Sequence, residues 1–166
     1  LLYYYILKMY MEKNMIILDT IEDLKAYTGK ITGQSPWIQV SQERINEFAK
    51  ATEDYQWIHV NEEKAQKSIF GCTIAHGFLT LSLAPWMSYN TYEVKNIAHS
   101  VNYGLDKVRF LSPVKAGSNL RGSFKLLEVT PSKEGYKIKN ELTIEIEGEE
   151  KPACVAETLG VIYPSK

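Results

Sequence analysis

The pattern of hydrophobic and polar positions divides the chain into a helical first half and an extended second half. On residues 45–52, apolar positions recur at offsets of three, four and seven, which is the spacing of one helix face. Ser41 is placed to cap this helix, which we expect to end near residues 52–53. Thr20 and Asp23 fit the capping box of an earlier short helix, which should stop at Gly29. Another short helix is expected over residues 62–67, capped by Asn61.

A long apolar run from Gly77 to about Asn90 predicts the next helix. Large apolar side chains occur on all sides of it, which is typical of a helix that is buried on all sides. At 1.5 Å per residue this helix would be ~20 Å long. Pro85 should kink it, because proline lacks an N–H and crowds the carbonyl four residues back.

After Tyr92 the pattern indicates strands. A strand is also expected at residues 36–40, and two extended segments at 101–105 and 107–111, interrupted near Gly104. Three long strands are predicted, over residues 120–129, 136–146 and 153–162, where short connecting loops require antiparallel pairing. A helix buried on every side requires a sheet that curves around it. The elements therefore predict an α+β hotdog fold, an antiparallel sheet wrapped around a long central helix, of a kind that commonly pairs edge to edge in a dimer.

Length and composition limit the classes of function. The 166 residues suit one domain, which we place at 16–166 after an N-terminal extension at 1–15. A formal net charge of -1 without a basic cluster argues against nucleic acid as a partner. Cys72 and Cys154 stand in apolar surroundings, which favours free thiols in a reducing compartment, the cytoplasm.

The first ten residues, LLYYYILKMY, lack the basic start and cleavage site of a signal peptide. The apolar run is shorter than the ~20 residues that span a bilayer, so no membrane partner is expected. We interpret this segment as an upstream extension before a start near Met11 or Met15. The alternative is an arm that docks on a partner.

The candidate chemistry lies between residues 51 and 87. Asp54 and His59 are five residues apart, and His76 and Gly77 open the apolar helix. Histidine is the side chain best matched to proton transfer near pH 7. The N–H of Gly77, at the positive end of a helix, is suited to stabilise charge on a carbonyl oxygen. Each residue alone is more often structural, and only the combination predicts catalysis.

Two further alternatives bear on this segment. Asp54 either orients the imidazole, shares the attacking water or returns the proton, and the sequence leaves these three roles open. Cys72 and His76 are four residues apart, but no second Cys/His pair completes a metal site, so no metal is expected.

Residues 51–60, ATEDYQWIHV, resemble the hydratase motif of the MaoC-like dehydratases, the (R)-specific enoyl-CoA hydratase family. Asp54, Ile58 and His59 match the aspartate, aliphatic residue and histidine of that motif. AHGFL at residues 75–79 resembles the start of the family's central helix, and the segments 102–104, 107–110 and 113–114 resemble the strands after it. Gln56-Trp57 and His76-Gly77-Phe78 are most similar to the nodulation-protein-N-like branch.

The resemblance implies a hydro-lyase that reversibly hydrates a trans-2-enoyl thioester of CoA or acyl carrier protein to an (R)-3-hydroxyacyl thioester. It implies no metal or redox cofactor, an acyl tail that enters a pocket beside the central helix, and a homodimer or higher homo-oligomer. The catalytic residues that it indicates are Asp54, His59 and Gly77. The candidate substrate-binding residues are Gln56, Trp57, His76, Tyr103 and Gly104.

Two positions depart from the family pattern. Glu53 stands where the family usually has glycine, and Tyr55 stands where this branch often has histidine. Glycine at position 53 would permit a backbone angle that glutamate resists. These departures keep two alternatives open: an acyl-CoA thioesterase on the same fold, and a non-catalytic protein that binds acyl thioesters.

Overall fold

A computed structural model describes residues 15–165, and the predicted extension lies outside the described residues except for Met15. Eight strands and six helices occur in this part of the chain, with five consecutive helices before the long strands. The strands are β1 Ile16–Leu18, β2 Ile31–Gln34, β3 Ile38–Gln39, β4 Tyr92–Val94, β5 Ile97–Phe110, β6 Asn119–Pro131, β7 Tyr136–Ile146 and β8 Cys154–Pro164. The helices are α1 Ile21–Lys25, α2 Gln42–Thr52, α3 Trp57–Val60, α4 Glu62–Gln66, α5 Gly77–Ser82 and α6 Ala84–Tyr89.

The main sheet has the strand order β2-β6-β7-β8-β5, and β3 also pairs with β6. All pairings within it are antiparallel, as the short loops require for β6–β7 and β7–β8. The three predicted long strands are confirmed as β6, β7 and β8. The two predicted segments before them form one strand, β5, because bulges near Gly104 bend it without ending it. The predicted strand at 36–40 is reduced to the two residues of β3.

The helix caps follow the sequence signals. Thr20 and Asp23 form the predicted capping box, although α1 ends at Lys25, before Gly29. The Ser41 hydroxyl accepts from the N–H of Arg44 at the start of α2, and the Asn61 side chain accepts from Lys64 at the start of α4. The parallel pair β1–β4 and the strand β2 were not predicted, because three or four residues carry little periodicity.

The central helix differs from the prediction of one kinked helix. It consists of α5 and α6, separated at Leu83. Pro85 has no N–H to continue the ladder of α5, but it fits the first turn of a new helix, so the chain restarts there. The prediction that the central helix is buried on all sides was also wrong for the single chain. Leu79 and Met87 are buried, whereas Phe78 is 70% exposed.

The core lies between this helix pair and one face of the sheet. Leu79 and Met87 belong to the same buried cluster as Phe124, Leu142 and Ile144 of the central strands. Gly122 on β6 permits the close approach, since a Cβ there would lie 2.9 Å from the Met87 sulfur. A second, smaller cluster joins α1 and β1 to the far ends of β6 and β7, around Leu126. Within residues 15–165, no helix is long and apolar enough to span a membrane.

Candidate functional site

Asp54 is presented by a sharp reversal at the end of α2. Glu53 ends that helix in the left-handed conformation, with φ 61° and ψ 17°, which is the angle expected to favour glycine at this position. The Asp54 carboxylate then accepts a hydrogen bond from the backbone N–H of Gln56 at 3.3 Å. The Asp54 side chain is 53% exposed. A carboxylate is therefore held on a defined turn but remains open to solvent and ligand.

His59 lies in the short helix α3. Its Nδ1 lies 2.7 Å from the carbonyl oxygen of Ile74. Because a carbonyl only accepts, Nδ1 must carry the proton, and Nε2 of the neutral ring is left with a free lone pair. Gln42 fixes the backbone of the same residue by donating to the His59 carbonyl at 2.8 Å, and Thr73 in turn donates to Gln42.

Burial lowers the pKa of His59 below its ordinary value, and the neighbouring His76 lowers it further. The hydrogen bond to Ile74 and the Asp54 carboxylate act in the opposite direction, but burial is the largest cause. The imidazole is therefore neutral at pH 7 and has a free Nε2. This is the form that accepts a proton.

His76 lies immediately before α5 and is only 3% exposed. Its ring stacks on the His59 ring, with centroids 3.7 Å apart and planes 25° apart, and Phe48 packs against it. Nε2 of His76 donates to the backbone carbonyl of Asp54 at 3.0 Å. The residue predicted to bind substrate is thus placed behind His59, where it joins the Asp54 turn to the start of α5.

Gly77 and His59 line the same cavity, which has a volume of about 350 Å³ and also includes Thr80 and Phe110 in its wall. Gly77 is the first residue of α5, where backbone N–H groups have no partner within the helix. A Cβ at this position would come within 3.0 Å of the Phe110 ring. The glycine therefore lets the aromatic ring close one side of the cavity directly over the helix start.

The remaining predicted residues are distributed around this centre. Tyr103 and Gly104 line a second, larger cavity on the other side of Phe78. Gln56 holds the α3 turn through its backbone, donating to Asp54 and accepting from the N–H of His59. Trp57 packs under the Lys64 ammonium, 4.6 Å from the ring centroid. Neither Gln56 nor Trp57 is among the residues that line the two cavities.

Sequence reasoning missed Phe110 and Asn140, a buried polar residue in the wall of the larger cavity. Phe110 becomes part of the site because β5 returns to the start of α5, a contact that spans more than thirty residues of chain. Asn140 had a detectable signal. It is a polar residue in the alternating apolar positions of β7, between Ile138 and Leu142, and all three are buried.

The ligand atoms of Asp54, His59 and His76 lie within 4.8 Å of one another, a grouping that raises the question of a metal ion. The two rings are stacked 3.7 Å apart, and imidazole lone pairs lie in the ring planes. A metal at the usual ~2.0–2.1 Å from both rings would lie well outside both planes. The trio therefore does not fit a metal centre without rearrangement, whereas it suits proton transfer.

Comparisons with known proteins agree with this geometry. The chain matches the family "MaoC like domain" over residues 23–147. It is 45% identical over 146 residues to 3-hydroxyacyl-thioester dehydratase Z of Mycobacterium tuberculosis, covering 87% of this chain and 97% of that protein. It is 44% identical over 146 residues to Nodulation protein N of Rhizobium leguminosarum, covering 86% of this chain and 91% of that protein.

The fold is that of R-hydratase PhaJ1 from Pseudomonas aeruginosa. The two structures superpose with a TM-score of 0.67 at 19% identity, covering 84% of this chain and 83% of that one. These similarities confirm the predicted hotdog fold, the resemblance to the nodulation-protein-N-like branch and the class of enzyme, a dehydratase. The chain belongs to the MaoC-like dehydratase family.

Proposed function

We propose that this protein reversibly hydrates a trans-2-enoyl thioester of CoA or acyl carrier protein to the (R)-3-hydroxyacyl thioester. The observation that carries the proposal is the position of the neutral, buried His59. Its free nitrogen lies beside an exposed carboxylate, and its cavity includes the N-terminal residue of α5. The 3-hydroxyacyl-thioester dehydratase among its relatives supports the substrate class.

In the hydration direction, His59 Nε2 accepts a proton from water while the water oxygen bonds to the β-carbon of the thioester. The double bond opens toward the carbonyl, and negative charge gathers on the thioester oxygen. A proton then returns from the Asp54–His59 pair to the α-carbon, so that one water is consumed and the charge is neutralised. The bonds of His76 and Gln42 hold this pair in place.

The thioester oxygen needs a donor that is already in position. The Gly77 N–H, at the start of α5 and beneath Phe110, supplies one. In other enzymes, removal of one such donor costs ~3–4 kcal/mol of transition-state stabilisation. The chemistry uses only proton transfer and hydrogen bonding, so we propose that neither a metal nor a redox cofactor takes part.

The acyl tail would occupy the larger cavity, which has a volume of about 760 Å³ and lies between the helix pair and the sheet. Phe78 and Leu81 of α5 line this cavity, while Gly77 and Thr80 of the same helix line the smaller one. The Phe78 and Phe110 rings meet edge to face at 5.9 Å between the two spaces. A thioester at Gly77 can therefore extend its chain past Phe78 along the sheet.

The test is an assay of enoyl-thioester hydration, monitored through the decrease in absorbance of the conjugated double bond. Asp54→Asn and His59→Gln should each lower kcat by about 10²- to 10⁴-fold, the usual contribution of an acid–base group. Asp106→Asn is the matched control, because this carboxylate pairs with Lys139 on the sheet and should leave kcat unchanged. Full activity of both site variants would refute the proposed mechanism.

The same assay distinguishes the two alternative functions. Release of free thiol with the double bond intact would indicate a thioesterase. Tight binding without any reaction would indicate an acyl-thioester binding protein.

We also propose that two copies pair through β5. This strand forms one end of the main sheet and exposes a row of apolar side chains: Val101, Tyr103, Leu105 and Phe110. Such an edge is a template for another strand, and antiparallel pairing with its own copy would satisfy both edges with a two-fold axis. A solved structure with this fold is a HadBC complex, aligned with a TM-score of 0.63 over 81% of this chain and 96% of that one.

Sedimentation equilibrium tests the pairing. The expected mass is about twice the chain's 19.0 kDa, and Tyr103→Asp should shift the equilibrium toward monomer because it adds a charge at the edge. A wild-type protein that stays at 19.0 kDa at micromolar concentration would rule the pairing out.

We also propose that the protein works in the cytoplasm. The free thiols of Cys72 and Cys154 support this, because cysteines remain reduced there.

A further inference from the structure

Asn140 is a buried polar residue in the wall of the larger cavity, at a position where its strand is otherwise apolar. It is 7% exposed, and its neighbours on the same face of β7, Ile138 and Leu142, are 3% and 0% exposed. Phe78 and Leu81 of α5 line the same cavity. A polar side chain at such a site requires a partner, because an unpaired buried amide costs about 1–3 kcal/mol.

The Asn140 amide has a polar neighbour in Tyr92. The Tyr92 hydroxyl lies beside it, and burial raises the pKa of that phenol while contact with the Asn140 amide acts in the opposite direction. Oδ1 of Asn140 is buried and has no hydrogen-bond partner within residues 15–165. If the amide is rotated by 180°, Oδ1 meets Tyr92 and the nitrogen is left over instead. In both orientations one hydrogen-bonding group of this buried amide, whose residue lines the cavity, remains unpaired.

The strand register gives the separation between Asn140 and the reaction in the direction of the strands. Phe110, which packs over Gly77, is in register with Cys154 of β8, and Asn140 is in register with Thr158 of the same strand. Four residues of strand separate these two levels, or ~13 Å. Asn140 therefore faces the distal part of an acyl chain and not the thioester.

We infer that Asn140, with the adjacent Tyr92, makes this enzyme selective for enoyl thioesters whose acyl chain carries a hydroxyl group far from the thioester. A hydroxyl both donates and accepts, so it satisfies whichever end of the amide is free. A plain alkyl chain leaves that end unpaired, and this penalty is the source of selectivity. The inference rests on the proposed function for the direction in which the chain enters.

The experiment compares pairs of enoyl thioesters that differ only in a terminal hydroxyl or methyl group. Because the two levels of the sheet are ~13 Å apart, the series should span chains of about 8 to 12 carbons. Wild-type protein should give kcat/KM for at least one hydroxylated chain that equals or exceeds the value for its methyl partner. In Asn140→Leu, selectivity should shift about 10- to 100-fold toward the methyl chain.

Two controls separate recognition from folding. Asn140→Leu is close to isosteric and removes an unpaired buried group, so its thermal midpoint should equal or exceed that of the wild type. Thr143→Val, on the opposite face of the same strand, should retain the wild-type selectivity. If Asn140→Leu fails to fold, the wild-type selectivity alone decides. A wild type that prefers the methyl partner at every chain length overturns the inference, as does equal selectivity in wild type and Asn140→Leu.

Binding of the corresponding saturated acyl-CoA pairs, measured by calorimetry, distinguishes this inference from the proposed reaction. Selective binding of the hydroxylated chain without hydration of any enoyl thioester would support the inference and refute the proposed function. Hydration without selectivity between the pairs would support the proposed function and refute the inference about Asn140.

Discussion

Replacement of His76 by phenylalanine tests whether a buried ring behind the catalytic histidine sets the geometry of the site. The substitution keeps an aromatic ring to stack on His59 but removes the 3.0 Å hydrogen bond to the Asp54 carbonyl. We expect the Asp54 turn to lose its fixed position while the fold survives. Activity should therefore fall much more than stability.

The magnitudes follow from the two nitrogens of His76. Loss of the hydrogen bond from Nε2 lowers the free energy of unfolding by only about 0.5–1.5 kcal/mol, because the Asp54 carbonyl on the exposed turn can bond to water instead. Nδ1 is buried without a hydrogen-bond partner among the described residues, and its removal returns about 1–3 kcal/mol. These contributions nearly cancel, so the thermal midpoint should move by only a few degrees, at ~2–4 °C per kcal/mol. A displacement of Asp54 by ~1 Å, in contrast, can lower kcat by about 100-fold.

The assay is hydration of an enoyl thioester as a function of pH, with His76→Gln as the matched variant. Glutamine keeps an N–H for Asp54 but does not stack. If the hydrogen bond matters most, His76→Gln retains more activity than His76→Phe. Because His76 lowers the pKa of His59, its removal should also move the acidic limb of kcat/KM to higher pH. Wild-type kcat and an unmoved pH profile in His76→Phe would refute the positioning role.

Three further predictions concern the same region. Because the pKa of His59 is lowered in the folded state, the unfolded state binds its proton more tightly, so the urea midpoint should hold above pH 6.5 and fall as the pH drops below it. The acidic limb of kcat/KM follows the folded enzyme and should lie below pH 6.5, and a rise of either quantity toward acid would contradict this. Glu53→Gly should raise the free energy of unfolding by about 0.5–1 kcal/mol in urea titrations, because φ is 61° at that residue, and a loss of stability would show that no strain is stored there. Gly77→Ala should lower stability by about 1–3 kcal/mol through contact with Phe110, and the double variant with Phe110→Ala should lose less than the two single losses added together, whereas simple additivity would exclude the clash.

Much of the fold could be predicted because its signals are local. The caps at Ser41 and Asn61 and the long strands β6, β7 and β8 all depend on residues within a few positions of one another. The central helix was predicted less well. Pro85 gave a correct signal for a disruption, but whether a helix bends or restarts depends on what packs against it.

The candidate site, like the fold, could be predicted only in part. The motif around Asp54 and His59 was predicted together with the start of α5. The sequence did not show that His59 is oriented by the Ile74 carbonyl or that His76 faces away from solvent. Those facts depend on the connector between α4 and α5, which carries no periodic pattern and is positioned by its contacts.

The α+β class, the family and the residue types that handle the proton could be predicted from the amino-acid sequence, because periodicity, capping and motif spacing are properties of neighbouring residues. Three features became visible only in the folded chain: which nitrogen of His59 is free, why Gly77 must lack a side chain and where Asn140 lies. Each of these depends on groups that are distant along the chain: a carbonyl fifteen residues from His59, an aromatic ring on β5 and a cavity that Tyr92 also lines. Burial and hydrogen-bond geometry arise from such contacts, and they control the pKa of His59 and the selectivity proposed for the acyl chain.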